Sequence, residues 1–597
     1  MKRALIFLII VFALLFYGRS ADYTGRWLDN YGDYTREEGK NDYRVKRAFT
    51  VFERVKKSAD KETAVLPRLA VIASRKKSCP LVLPDGGIII NPVTLDICYD
   101  SEAPEEGDRR LAFIFGHELA HLANKDFIYE EAKEALKRYS RGKIRKELEK
   151  DLIPREARTK ELFADPRGAI FAAMAGYEIG PLLDKDNNFL RHLAEKTGIK
   201  YADDSHGKHP SLLKRYEFIR ARLRSVIEQL DLFKAGVLLL QMGKYIDGAA
   251  VFRAFSNSYP GREVFNNIGA CYLNLALRYL RLKFSDDYFC FRLSTAIDYY
   301  TSAEKLYFRG EGDYLKDRDI SYCIDKAVFY FREAAYRDRH DRTCRLNLSA
   351  ALILKKNYAA ALAQCDFLLE KNPQDIDAMN NKAIALYYYG KEICNCAPQK
   401  AVSLLQEARL LESNNFEVLY NLAALAREMK QPDKATSLWE KYVNFPGIPW
   451  DNFYTYIWKE LGRKELPPPT RGVGLPGTPE EIKLGEESAP LLEKWKGENV
   501  REYKLTSEEE GPDSWSATLQ VIIKQNVRVL AWEGFIVLVE QELIRPKKPA
   551  ELLKQFGPPQ KVIHHTAGTF HIYEENGFSL KEINGEICSY IWFKKDF

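Results

Sequence analysis

Between Asp231 and Pro446 the sequence repeats one layout with a period of about 34 residues, and a period of that length dictates what the segment can fold into. Ala235–Pro260 and Asn347–Pro373 show the layout. Small residues punctuate a first apolar helix, an aromatic follows a turn, small residues cross in a second helix, and a proline closes the unit. Gly236 and Gly269 stand close to one period apart, as do Ala401 and Ala435. A helix pair this short cannot bury its apolar face alone, so neighbouring pairs must stack into a continuous core with a concave groove.

The layout resembles a tetratricopeptide array. The period predicts about five or six units: a pair at the start with an insertion around Lys283–Leu293, one near Tyr322–Arg339, and three from Asp341 onward. Such grooves bind peptides or partner proteins; a plain spacer is the alternative. Cys394-Asn395-Cys396 falls in a turn between later helices and reads as a loop, since a structural zinc site needs four ligands.

A chain of 597 residues exceeds what one core organises, so further domains flank the array. Its formal charge of +6 is small for that length and predicts no nucleic-acid partner. Lys2 and Arg3 precede the apolar run Ala4–Phe16, and Gly18 and Ser20 supply the small residues of a cut before Ala21. Residues 1–21 therefore read as a secretory signal, with an uncleaved anchor as the alternative. Either exports the protein, and an anchor would add a peripheral membrane association; the resemblance described below narrows export to the periplasm or cell envelope. Ten cysteines suit an oxidising compartment. Cys79 and Cys98 flank an expected strand and form a candidate pair, whereas Cys271 and Cys365 read as small buried apolar residues of the repeats.

Residues 22–230 read as one α+β domain. A helix is expected near Arg44–Lys61, then β-branched runs at Ala64–Ile72 and Leu81–Ile90 broken by the hairpin signal Asp85-Gly86-Gly87, then helices that include a charged one at Tyr129–Asp151. After the array, 447–482 is a linker, rich in proline and glycine from Leu466 to Pro479. Alternating apolar residues make 483–597 a small β-rich domain with hairpins at Asn576-Gly577 and Asn584-Gly585. His564, His565 and His571 are expected at its surface.

Chemistry concentrates in the apolar helix Leu111–Asn124. His117 and His121 are four apart, so both rings leave one face and can meet one metal ion, with Glu118 beside them. Neutral imidazoles bind zinc, and the adjacent carboxylate can take the proton of a water attacking a peptide carbonyl. A third ligand is available in Glu161 of Glu161–Asp165, and Asp165 on the same face can accept a hydrogen bond from a ligand histidine. A solvated helix start is the alternative for that acidic pair.

The run His117-Glu118-Leu119-Ala120-His121, the motif Glu161-x-x-Ala164-Asp165, the helix ending Ala175-Gly176-Tyr177 and the segment His209–Arg215 together resemble the zinc peptidases that include HtpX, the CaaX prenyl protease and Oma. The resemblance implies a mainly α-helical, zincin-like (gluzincin) peptidase domain with a small β element. It implies one zinc ion per chain on His117, His121 and Glu161, Glu118 as general base, and catalytic roles for His209 and Arg215. A secretory signal, this peptidase and repeats in one chain resemble the BepA-like periplasmic proteases of envelope protein quality control. Protein or peptide substrates, and envelope assembly partners in the repeat groove, are the partners so implied. The multispan helices of HtpX are absent, the array is longer, and the terminal sheet has no counterpart. A non-proteolytic binding or assembly factor with a latent or vestigial site is the alternative.

The resemblance also implies latency, because in the BepA-like proteins a histidine at the position of His209 can fill the open zinc position, which catalytic zinc must keep free. His209→Ala should then raise peptidase turnover. Unchanged or lower turnover would favour the alternative, in which His209 acts on substrate or transition state with Arg215.

Overall fold

Asp85 ties the first residues of the folded chain to its sheet. Its carboxylate accepts from the Thr24 amide at 2.7 Å and pairs with Arg68 at 2.5 Å. The computed structural model describes residues 22–594 apart from 60–65, 77–79, 125–153, 184–187, 202–210, 284–290, 296–305, 309–313, 392–397, 445–451, 464–474, 496–498, 507–515 and several stretches of one or two residues. They form two compact units that divide between Leu230 and Asp231. Among the described residues no helix is long and apolar enough to cross a membrane.

In the first unit, α1 (Tyr23–Tyr31) is capped by Asp22 and α2 (Tyr43–Ser58) by Asp42, whose side chains accept from Gly25 and Arg44 amides. Val45, Ala48, Val51, Phe52 and Val55 give α2 its buried stripe. The three strands β1 (Arg68–Val71), β2 (Leu81–Val82) and β3 (Gly87–Ile90) lie in the order β1-β3-β2, with β1 parallel and β2 antiparallel to β3. Gly86, at φ 82°, makes the β2–β3 turn that a side chain would strain. Next come α3 (Pro92–Cys98), α4 (Pro104–Ala123), α5 (Pro154–Met174), α6 (Phe189–Thr197) and α7 (Leu212–Gln241). Arg110 fastens α4 to the end of α3, donating to Asp100 and Glu106 at 2.6 Å each and to the carbonyls of Ile97 and Cys98. Cys98 is a fully buried free thiol there, against the pairing expected with Cys79, which lies outside the described residues. The charged helix expected at Tyr129–Asp151 lies outside them too.

Residues 231–597 form the second unit. The end of α7 packs with α8 (Tyr245–Ser256), and α9 (Arg262–Lys283) carries the insertion strands β4 (Phe291–Leu293) and β5 (Leu306–Phe308) before α10 (Arg318–Arg337). Then follow the hairpins α11 (Arg342–Leu354) with α12 (Tyr358–Lys371), α13 (Ile376–Tyr389) with α14 (Gln399–Leu411), and α15 (Phe416–Glu428) with α16 (Pro432–Val443), ahead of α17 (Asn452–Glu460). The helix at Arg318–Arg337 is not a separate unit, as the period suggested. It is the second helix of the α9 hairpin, because Gly269 admits the Phe331 ring as Gly236 admits Phe252 one hairpin earlier. The insertion thus splits a hairpin internally and hides its period. Cys271 and Cys365 are buried free thiols within these helices; Cys394 and Cys396 lie outside the described residues.

Beyond α18 (Ala489–Lys494) the chain builds an antiparallel sheet of β6 (Asn499–Thr506), β7 (Ser516–Lys524), β8 (Val527–Trp532), β9 (Phe535–Lys547), β10 (Lys561–His565), β11 (Gly568–Tyr573), β12 (Phe578–Ile583) and β13 (Glu586–Phe593), with α19 (Pro549–Phe556) between β9 and β10. The order is β10-β11-β12-β13-β9-β8-β7-β6. Gly577 and Gly585 take φ of 60° and 80° between β11, β12 and β13, as tight turns require. Trp495, Val529, Val539, Phe556, Phe578 and Trp592 share its main core. The expected linker ends on this sheet: Leu475 packs against that core, and Trp592 donates to the Pro476 carbonyl at 2.8 Å. The sheet also meets the first hairpin, where Asp231 pairs with Arg501 and Arg253 donates to the Thr506 carbonyl. His571, expected at the surface, is buried and bonds Glu582 at 2.8 Å. Glu582 lies diagonally across the β11–β12 ladder, a neighbour that chain order does not reveal.

One buried carboxylate makes this sheet sensitive to acid. Glu540, 1% exposed, pairs with Arg528 at 2.5 Å and Lys581 at 3.1 Å. Burial opposes its charge, but Lys581 and Arg528 outweigh burial and hold its pKa down to about 2 from an ordinary 4.5. Its contribution is therefore present above pH 4.5 and lost as pH falls toward 2, on the order of 3 kcal/mol in all. The urea-unfolding free-energy difference between wild type and Glu540→Gln should be largest near pH 7 and shrink steadily below about pH 4.5.

Candidate metal centre

Two glycines set the distance between the helices that carry the chemistry. A Cβ on Gly116 of α4 would lie 2.2 Å from the Gly168 carbonyl oxygen, and one on Gly168 of α5 would lie 2.5 Å from the His117 amide nitrogen. Only bare backbone permits that approach. It brings the turn of α4 bearing His117, Glu118 and His121 against the turn of α5 bearing Glu161 and Asp165. Phe115 packs edge-on against Phe52 of α2 behind this contact, and Arg54 of α2 donates to the Ala175 carbonyl after α5.

The two histidine Nε2 atoms are 3.0 Å apart. Glu161 Oε2 lies 3.4 Å from His117 Nε2, and Glu161 Oε1 lies 3.7 Å from His121 Nε2. Donors held about 2.1 Å from one tetrahedral zinc ion stand about 3.4 Å apart, so this triangle and its N, N, O donor set fit that ion. Among the described residues these are the ones grouped closely enough to share a metal. His117 Nδ1 lies 2.9 Å from Asp165 Oδ1. With the Nδ1–H donating there, Nε2 is turned toward His121 and Glu161.

Arg215, at the start of α7, locks the carboxylates. Its Nε and Nη2 donate to the two oxygens of Asp165 at 2.8 and 2.6 Å, and its Nη1 lies 3.2 Å from Glu161 Oε2. Asp165 is fully buried; burial favours its neutral form, but Arg215 outweighs that and holds the pKa down to about 2. Burial likewise opposes a charged His117, yet the Asp165 carboxylate prevails and raises its pKa to about 10, so a metal at Nε2 displaces a proton. Glu118 is buried, and that burial pushes its carboxyl above the usual range against the opposing charges of His117 and His121. Burial works against the Arg215 charge and Asp165 overrides it, so the guanidinium stays protonated.

Six of the residues singled out in the sequence, His117, Glu118, His121, Glu161, Asp165 and Arg215, thus lie in one cluster, with His121 and Arg215 part-exposed and the other four buried. His209 lies outside the described residues. Gly116 and Gly168 had been assigned no part. Their signal was an isolated glycine inside each helical pattern, which marks close packing when it is not a helix end.

No family model matches the chain, and no curated protein matches it. Among solved structures it is similar to MamA 41-end from Desulfovibrio magneticus RS-1, with 11% identity over 36% of this chain and 94% of that one and a TM-score of 0.25. TTC0263, a thermophilic TPR protein in Thermus thermophilus, shares 15% identity over 24% of this chain and 77% of its own, with a TM-score of 0.22. A tetratricopeptide repeat protein from Parabacteroides merdae ATCC 43184 shares 10% identity over 58% of this chain and 98% of its own, with a TM-score of 0.27. The hairpin array itself rests on the helix pairing described above.

Adding one methyl group should disturb the α4–α5 contact. Gly168→Ala should lower stability by about 1–3 kcal/mol, the usual cost of overpacking, in thermal or urea unfolding. Gly180→Ala is the control: nothing lies within 4 Å of its added Cβ, and its stability should stay within about 0.5 kcal/mol of wild type.

Proposed function

We propose that this chain is a zinc-dependent metalloendopeptidase, exported to the cell envelope, that hydrolyses peptide bonds of protein substrates bound with the help of its repeat array. The reading is carried by the convergence of His117 Nε2, His121 Nε2 and the Glu161 carboxylate at spacings one zinc ion requires. Zinc held there would act as a Lewis acid toward a peptide carbonyl and lower the pKa of water. The chain's own residues do the rest. Glu118, with its raised pKa, takes a proton from the attacking water and returns it to the leaving amine. Asp165 orients His117, and Arg215 keeps Asp165 charged and holds both Asp165 and Glu161 in position, acting through the ligands.

Export is inferred from Lys2, Arg3 and the apolar run Ala4–Phe16, and envelope protein quality control from the resemblance to BepA-like proteases. The competing reading is a binding or assembly factor whose metal site is latent or vestigial. The extent of the repeat-and-sheet unit, residues 231–597, favours it, while the complete donor set argues against decay of the site.

Zinc content and turnover on an unfolded protein substrate separate the two. Wild type should hold about one zinc per chain and Glu161→Ala much less. Glu118→Gln should keep the metal and lose about 10²–10⁴-fold in turnover. A wild type that holds zinc but functions equally well with Glu118→Gln would establish the binding factor instead.

A further inference from the structure

The first helices of four successive hairpins each carry asparagine as their sixth residue: Asn267 in α9, Asn347 in α11, Asn381 in α13 and Asn421 in α15. All four are buried. A buried amide needs partners for its N–H and carbonyl groups. Asn381 and Asn421 find theirs on the backbone of the insertion. Asn421 Oδ1 accepts from the Arg292 amide at 2.6 Å and its Nδ2 donates to the Arg292 carbonyl at 2.7 Å. Asn381 treats Ser294 alike, at 2.7 and 2.8 Å. Asn380 adds donations to the Arg292 carbonyl at 2.9 Å and Ser294 Oγ at 3.1 Å.

Residues two apart on an extended chain present their backbone groups to one side, so neighbouring repeats clamp alternate residues as an adjacent strand would. Those bonds read an extended backbone and ignore its sequence. Selection comes from the side chains. The Phe291 ring lies 5.3 and 5.6 Å from the rings of Tyr387 and Tyr388. The Arg292 guanidinium lies 5.2, 5.9 and 5.8 Å from the rings of Phe416, Tyr420 and Tyr442 and donates to the Tyr442 hydroxyl. Desolvated cation–π contacts of this kind favour a guanidinium over neutral side chains. Phe291, Arg292 and Leu293 are fully buried, although they belong to the insertion and to none of the repeat helices.

We propose that the face formed by α13 and α15 is a binding site for extended peptide segments of the form aromatic–arginine–aliphatic–small, which Phe291–Ser294 occupies as a resident ligand and which a like segment of a partner protein displaces. The site needs no metal. It adds a partner class to the repeat array whether or not the first unit is a peptidase.

The probe is a fluorescein-labelled peptide of residues 291–297 with blocked ends, titrated into the full-length chain by anisotropy with chelator present, so that the fate of the metal reading leaves the result untouched. A variant combining Phe291→Ser and Arg292→Ser empties the side-chain pockets and should bind the peptide at least about tenfold more tightly than wild type. A further Asn421→Ala should abolish that gain. A folded double variant that ignores the peptide, or binding indifferent to Asn421→Ala, would overturn the proposal. Should the double variant fail to fold, amide hydrogen exchange on wild type decides. Exchange of the Arg292 and Ser294 amides by local opening, faster than the α13 and α15 core, supports a displaceable ligand; exchange only with global unfolding makes the strand part of the core and overturns it.

Discussion

A polar group taken out of water must meet its partner inside the protein, and each functional feature of this chain depends on that requirement. Asp165 is fully buried, and it stays charged because Arg215 grips both of its oxygens. That charge holds the His117 Nδ1–H, and the ring so held aims Nε2 at His121 and Glu161. Elsewhere Glu540 is held by Arg528 and Lys581, and the amides of Asn381 and Asn421 by the backbone of β4 and the residue after it. In every case the partner comes from a different secondary-structure element, so these contacts both set the chemistry and fasten the fold.

Close approach of backbone supplies the second ingredient. Gly116 and Gly168 let α4 and α5 touch, which allows short, stiff side chains from both helices to reach one point. A wider separation would leave histidine and glutamate donors too far apart to share an ion. The same economy of space appears in the array, where Gly236 and Gly269 each admit a phenylalanine ring from the following helix. Glycine here acts by what it leaves out.

Much of this was legible in the chain itself. The period beginning at Asp231 announced helix pairs, and the spacing of His117 and His121 announced a shared face, because helical periodicity converts sequence separation directly into direction. Asn576-Gly577 and Asn584-Gly585 announced turns for a similar local reason, though Asn584 lies outside the described residues. Where expectation and structure part, a long-range contact intervenes. The period places a separate unit near Tyr322–Arg339, whereas the helix there pairs with α9 across the insertion that hides the spacing. His571 was placed at the surface because Glu582 becomes its neighbour only through strand register.

The sequence by itself therefore determined which residue types and which local conformations were on offer: a helix with two histidines one turn apart, an acidic pair one turn apart, and asparagines recurring at one position of four successive repeats. Tertiary structure alone decided who meets whom. It set α4 on α5 at glycine contact, brought Arg215 to Asp165, and laid Arg292 and Ser294 between Asn421 and Asn381. The physical reason is that backbone periodicity acts over a few residues, whereas burial of polar groups is satisfied in space, by residues that chain order leaves far apart.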